Sequence, residues 1–128
     1  MGGLPYRSEE DRAAVERFWE GREAARPLFE QVARRAQEWG PFEVVGRHSR
    51  VLLVAGTRFA WCPVAHADGR LALRFLLPRA VASPRLRTDR LGGRWSHRIA
   101  LAGPADLDKE LLGWLREAYE WARHPSPA

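Results

Sequence analysis

The stretch that decides the fold is Val51-Leu52-Leu53-Val54-Ala55-Gly56-Thr57-Arg58-Phe59-Ala60-Trp61. Two runs rich in branched and aromatic residues flank Gly56-Thr57, and a Gly-X pair between strand-like runs signals a tight type II′ hairpin. Working outward, residues 42–45 read as a short strand before it. His66-Ala67-Asp68-Gly69 makes a turn after it, and residues 70–77 form the next strand, closed by Pro78. A loop of about fifteen residues follows, carrying Pro84 and Gly92-Gly93; residues 95–101 then alternate again as Trp95, His97, Ile99 and Leu101.

The period is helical at both ends. Ser8 with Asp11 three residues on marks a helix start, with Val15, Phe18 and Trp19 on one side and Gly21 as its break. A second helix is predicted over 23–39, with Pro27 in its first turn and an apolar stripe of Leu28, Val32, Ala36 and Trp39. Gly40-Pro41 ends it. A last helix is predicted over 107–123 with Asp106 as N-cap. It sets Leu107, Leu111, Leu115, Ala118 and Ala122 on one face, and Lys109, Glu110, Arg116, Glu117 and Glu120 mostly on the other. The expected fold is α+β: two N-terminal helices, a four- to five-stranded antiparallel meander and a long C-terminal helix, with the helices packed on one sheet face. With 128 residues and no repeat or linker, residues 1–128 form a single domain with an ordered core over about 8–123.

Hydrophobic residues at 45% and charged residues at 29% fit a soluble globular protein, and no apolar run is long enough to span a membrane. The first residues lack an apolar signal-peptide core, so the cytoplasm is the expected compartment. Cys62 is the only cysteine, which excludes an intrachain disulfide and a cysteine-based zinc site. Gly2-Gly3 and Pro125-Ser126-Pro127 read as frayed ends.

The net charge of +5 is unevenly spread. Residues 1–46 carry −2, residues 47–98 carry +9 and residues 99–128 carry −2, so the basicity belongs to the strands. Twenty of the twenty-one basic residues are Arg, a skew that a GC-rich coding bias produces without any partner.

Strand alternation sorts candidate site residues from core. It pairs Phe59 with Trp61 on one face, opposite Arg58, Ala60 and Cys62. Leu71, Leu73, Phe75 and Leu77 oppose Ala72, Arg74 and Leu76; Trp95, His97, Ile99 and Leu101 oppose Arg94, Ser96 and Arg98. The aromatic and aliphatic set is expected against the helices, where Trp61 and Trp95 would be closed to base stacking. The other face is left with Arg58, Arg74, Arg94 and Arg98, beside a basic loop carrying Arg79, Arg85, Arg87 and Arg90. Candidate polyanion-binding residues are therefore Arg58, Arg74, Arg85, Arg87, Arg94 and Arg98. The plainer alternative is that these side chains only solubilise a sheet face.

Nothing nominates a catalytic, cofactor-binding or metal-ligating residue. Cys62 has no activating neighbour, and a strand and a turn separate it from His66. Ser96 and His97 point to opposite faces, and His97 is expected in the core with one ring nitrogen satisfied. His48, His66 and His124 lack metal-ligand spacing. No phosphate-binding Gly-rich loop and no nucleophile elbow is present. Asp106 and Asp108 are explained by helix capping. The six tryptophans read mainly as core.

Four stretches carry a family resemblance. They are residues 28–39 closed by Gly40-Pro41-Phe42; the hairpin over 51–61 with Arg58-Phe59-Ala60; Ser83-Pro84-Arg85-Leu86-Arg87; and Ser96-His97-Arg98-Ile99 leading to Asp106-Leu107-Asp108 and Trp114-Leu115-Arg116-Glu117-Ala118-Tyr119. Over about residues 18–123 the chain resembles the bacterial domain-of-unknown-function family numbered fifty-six fifty-five. The resemblance implies a compact α+β domain, found alone or attached to restriction-endonuclease-like modules, and no established activity or catalytic residues. Ser96 stands beside His97 where the family pattern often has a second histidine.

The expected function is a non-catalytic binding or interaction module without cofactor. An alternative is nucleic-acid or polyanion binding through the basic face and loop, the partner being nucleic acid or an acidic protein. A second alternative is a small-molecule-binding domain or enzyme with a cleft between sheet and helices.

Overall fold

A computed structural model describes residues 3–124. Gly2 and Pro125 to Pro127, expected to fray, lie outside the described residues. At the centre, β2 (Arg50–Ala55) and β3 (Thr57–Cys62) form the hairpin. Gly56 turns it at φ 82°, a left-handed conformation that favours glycine. β1 (Glu43–Arg47) pairs with β2, and β4 (Leu71–Leu77) with β3. The meander ends there. β6 (Arg94–Leu101) pairs with β4 along seven positions, and β5 (Arg87–Leu91) lies outside it, giving the order β1-β2-β3-β4-β6-β5.

The sheet thus has six antiparallel strands where four to five were expected. β5 accounts for the difference, because it lies within the segment read as loop. Arg-Thr-Asp-Arg-Leu has no apolar alternation, and the strand is held by its backbone ladder to β6.

Three helices cover one face of the sheet. α1 (Glu9–Trp19) starts where Ser8 Oγ accepts the Asp11 N–H at 3.1 Å. Gly21, at φ 75°, lies beyond its end. A 3-10 turn over Glu23–Ala25 leads into α2 (Arg26–Gln37), with Pro27 in the first turn. α3 (Lys109–Arg123) is capped by Asp108, whose carboxylate accepts the Leu111 N–H at 3.0 Å. The expected cap, Asp106, instead ends a 3-10 turn over Pro104–Asp106, and its carboxylate accepts the Ala102 N–H at 2.7 Å.

The core lies between these layers. Val15, Trp19, Phe29, Val32, Leu111, Leu115 and Tyr119 from the helices meet Val44, Leu53, Phe59, Leu73 and Phe75 from the sheet. Phe59 meets Tyr119 edge-on at 5.4 Å; truncating a buried Phe of this kind to Ala costs about 3–5 kcal/mol. α1 approaches β1 so closely that a Cβ on Gly46 would fall 2.6 Å from both Ala14 Cβ and Asp11 O. The buried Asp11 carboxylate secures that approach by accepting the Gly46 N–H at 3.0 Å. Along the outer side of β1, Val44 N–H donates to Pro5 O at 2.9 Å and Arg7 N–H to Val44 O at 3.0 Å. β5 forms the other edge of the sheet.

One irregularity corrects the expected alternation. Leu53 pairs with Ala60 and Val54 with Arg58, so Phe59 is an extra residue in β3, a β-bulge. Phe59, Ala60 and Cys62 all enter the helix-side core, whereas Trp61 pairs with Leu52 on the opposite face. The expectation that Trp61 shares a face with Phe59 is therefore overturned. No helix among the described residues is long and apolar enough to cross a membrane.

Candidate anion-binding face

Cross-strand partners share a face, so the register maps the side of the sheet away from the helices. One row runs Val45, Leu52, Trp61, Arg74, Arg98, Arg87 across all six strands. Arg58, beside Val54, and Arg94, beside Leu91, lie on the same face, as does Arg50 at one end. The face therefore brings together Arg58, Arg74, Arg87, Arg94 and Arg98. Arg50 belongs to it as well, revealed by the pairing of β1 with β2, whereas its partner Arg47 turns to the Asp11 carboxylate at 3.4 Å and donates to the Gly46 carbonyl at 3.0 Å.

Arg85 does not join this group. It sits on the helix side, donating to Asp108 at 3.0 Å, to Glu110 at 2.9 Å and to the Asp106 carbonyl at 2.9 Å. These carboxylates hold its guanidinium above its ordinary pKa. Arg79 is likewise bound by Glu117 at 2.7 Å.

The electrostatics of the open face run the other way. Arg58 and Arg74 are depressed below the ordinary arginine pKa, first by burial and then by neighbouring charge: Arg50 and Arg94 for Arg58, Arg98 for Arg74. Arg74, Arg98 and Arg87 are cross-strand neighbours of like charge, an arrangement that destabilises a sheet. The contacting acid is Asp89, 3.7 Å from Arg98 Nε, a long pair on an exposed strand. Nε of Arg74, Nε of Arg98 and Oγ of Ser96 are buried without hydrogen-bond partners among the described residues.

Trp61 is the apolar anchor of this layer. It is 4% exposed, with the Arg58 guanidinium 4.5 Å from its ring centroid. That contact spreads the arginine flat over an indole and leaves no open ring for a base. Trp95 lies on the helix-side face, with Arg90 at 5.5 Å from its ring.

The remaining sequence candidates have structural surroundings. His97 is fully buried, stacked on Phe75 at 5.2 Å, and its Nε2 accepts the Val81 N–H at 3.0 Å. Burial holds its pKa below the ordinary value. Cys62 is buried and its thiol pKa is pushed up by burial. Among the described residues, no three His, Cys, Asp or Glu side chains gather as a metal set. A cleft of about 660 Å³ opens beside Ser8, Asp11, Arg47 and His48. Its buried carboxylate is already taken by the Ser8 hydroxyl, the Gly46 amide and the Arg47 guanidinium.

Fold and face together define a small α+β domain whose helices cover one side of a six-stranded sheet and whose other side is lined with arginine. The chain belongs to the family described as domain of unknown function DUF5655, whose model matches residues 15–122. No curated protein and no solved structure matches the chain.

Proposed function

We propose that this domain is a non-catalytic nucleic-acid-binding module that takes the phosphate backbone on its open sheet face. The observation that carries this is the cross-strand row Arg74, Arg98, Arg87, flanked by Arg58 and Arg94, with Asp89 as the contacting acid. A like-charge row whose Arg74 and Arg98 are half-buried costs stability in the free protein, and that cost turns into binding energy when phosphates supply the missing negative charge. Strands lie about 4.8 Å apart, so Arg58, Arg74, Arg98 and Arg87 on four neighbouring strands span about 14 Å. Phosphates along a nucleic-acid strand rise about 3.4 Å per step along the helix axis, so that span covers about four steps of the backbone. A periodic polyanion suits this row better than an acidic protein, whose carboxylates have no fixed spacing. Because Arg58 covers Trp61, contacts go to phosphate and not to base faces, and binding is indifferent to sequence.

The test is fluorescence anisotropy with a mixed-sequence 20-mer, duplex and single-stranded, over a salt series. Micromolar binding at low salt is expected, with log K falling against log salt at a slope of about −4 for duplex. Indifference to both forms at about 50 mM salt overturns the proposal.

A further inference from the structure

Where Arg74 and Arg98 pair across β4 and β6, the next pair on the same face is Ala72 with Ala100. Two small residues beside two arginines leave a trough. The chain leaving β3 walls it, and Pro63, Val64, His66, Ala72, Arg74 and Arg98 line a groove of about 350 Å³. Val64 is an exposed apolar side chain on that wall. The groove differs from the rest of the face in one chemical respect: both of its arginines carry a buried Nε–H with no acceptor. Buried donors without acceptors are rare in folded proteins and call for an explanation such as a missing ion. The acid near Arg98 stands 3.7 Å away, beyond hydrogen-bonding distance, so it leaves that donor free.

We infer that this groove seats one phosphate group of the bound strand, held between Arg74 and Arg98 with His66 on the wall. This rests on the nucleic-acid reading above and names the point on the face where the backbone is gripped. Guanidinium groups present fixed forks of N–H donors that match phosphate oxygens. The apolar wall of Pro63 and Val64 suits the sugar next to that phosphate, and the alanine floor admits the backbone close to the sheet. The seated group is either an internal phosphodiester or a terminal phosphate monoester, which share this chemistry.

Arginine-selective NMR of Nε–H signals provides the test, with thymidine dinucleotide, its 5′-phosphorylated form and inorganic phosphate as probes. Arg74 and Arg98 signals should shift together, while Arg35 on α2 stays put. Shifts with both dinucleotides identify a phosphodiester seat; shifts with the phosphorylated form and inorganic phosphate alone identify a monoester seat. Ala72→Glu supplies a carboxylate within the trough and should abolish the shifts in either case. Unmoved Arg74 and Arg98 signals, or shifts that survive Ala72→Glu, overturn the groove. A 20-mer that still binds under those results leaves the wider face intact, whereas loss of 20-mer binding removes both.

Discussion

On the helix side, Arg26, Arg79 and Arg85 each sit against carboxylates; on the open face, Arg58, Arg74, Arg87 and Arg94 make no ion pair among the described residues. The paired set has its pKa values raised by its partners, and Arg58 and Arg74 have theirs lowered by burial and then by the arginines beside each. Sixteen acids are enough to pair most of the arginines, yet most collect on the helical segments and leave the sheet face with Glu43, already paired to Arg7, and Asp89. A coding bias toward arginine explains how many there are. It does not explain this segregation, which the strand register creates by aligning arginines from four strands on one surface.

The comparison breaks if charge reversal on the open face leaves binding intact. Arg74→Glu with Arg98→Glu should weaken 20-mer binding by about a hundredfold, about 2.7 kcal/mol, in an anisotropy titration at low salt. The salt slope should fall by about 2 at the same time. Next in size, Arg26→Ala on the helix side should cost about 1–2 kcal/mol in urea unfolding without changing nucleic-acid affinity. The Arg26 side chain is 20% exposed and bridges Glu16, Glu23 and Glu30, so its removal costs three ion pairs and the packing of its stem. Smallest is Arg74→Gln, which should stabilise the free protein by about 0.5 kcal/mol by relieving the like-charge row, while weakening binding. A loss of stability there would mean that Arg74 is a structural residue of the same kind as Arg26.

Acid acts on the helix side in two steps. The folded protein prefers neutral His97, so its pKa lies below the ordinary 6.5. In that window the unfolded chain takes up more protons, and stability falls as pH drops from 6.5 toward the folded value. Glu117 and Asp108, held below their ordinary values by Arg79 and by the Leu111 N–H with Arg85, contribute stability present above about pH 4 and lost below it. Chemical denaturation across pH 3–8 should therefore show two descents, and His97→Gln should remove only the upper one.

Much of this architecture was legible in the chain. The Gly56 turn, the Ser8 cap and the stripes ending at Gly40 and beginning near Leu111 are local signals, and local hydrogen bonds and burial enforce them. The bulge at Phe59 was not legible, because Phe-Ala-Trp-Cys is apolar at every position and gives alternation nothing to register. Its consequence was to place Trp61 under Arg58. β5 was hidden for the opposite reason: its charged residues carry no burial pattern, and only pairing to β6 makes it a strand. Of the nominated arginines, Arg85 parts from the others because Asp108 and Glu110 lie across a distance in sequence that alternation does not measure. Arg50 was missed because residue parity within one strand cannot reveal which neighbouring strand aligns with it.

The two borders of the sheet have unequal fates in a crowded solution. On β1 the Val44 backbone groups are occupied by the Pro5–Arg7 stretch and those of Gly46 by Asp11 and Arg47, so another chain finds little to grip. β5 leaves its outer rim free, and its sequence Arg87-Thr88-Asp89-Arg90-Leu91 makes that rim a poor template for ribbon-to-ribbon growth. Replacing Arg87, Asp89 and Arg90 with valine would turn a tolerated border into a nucleus for aggregation.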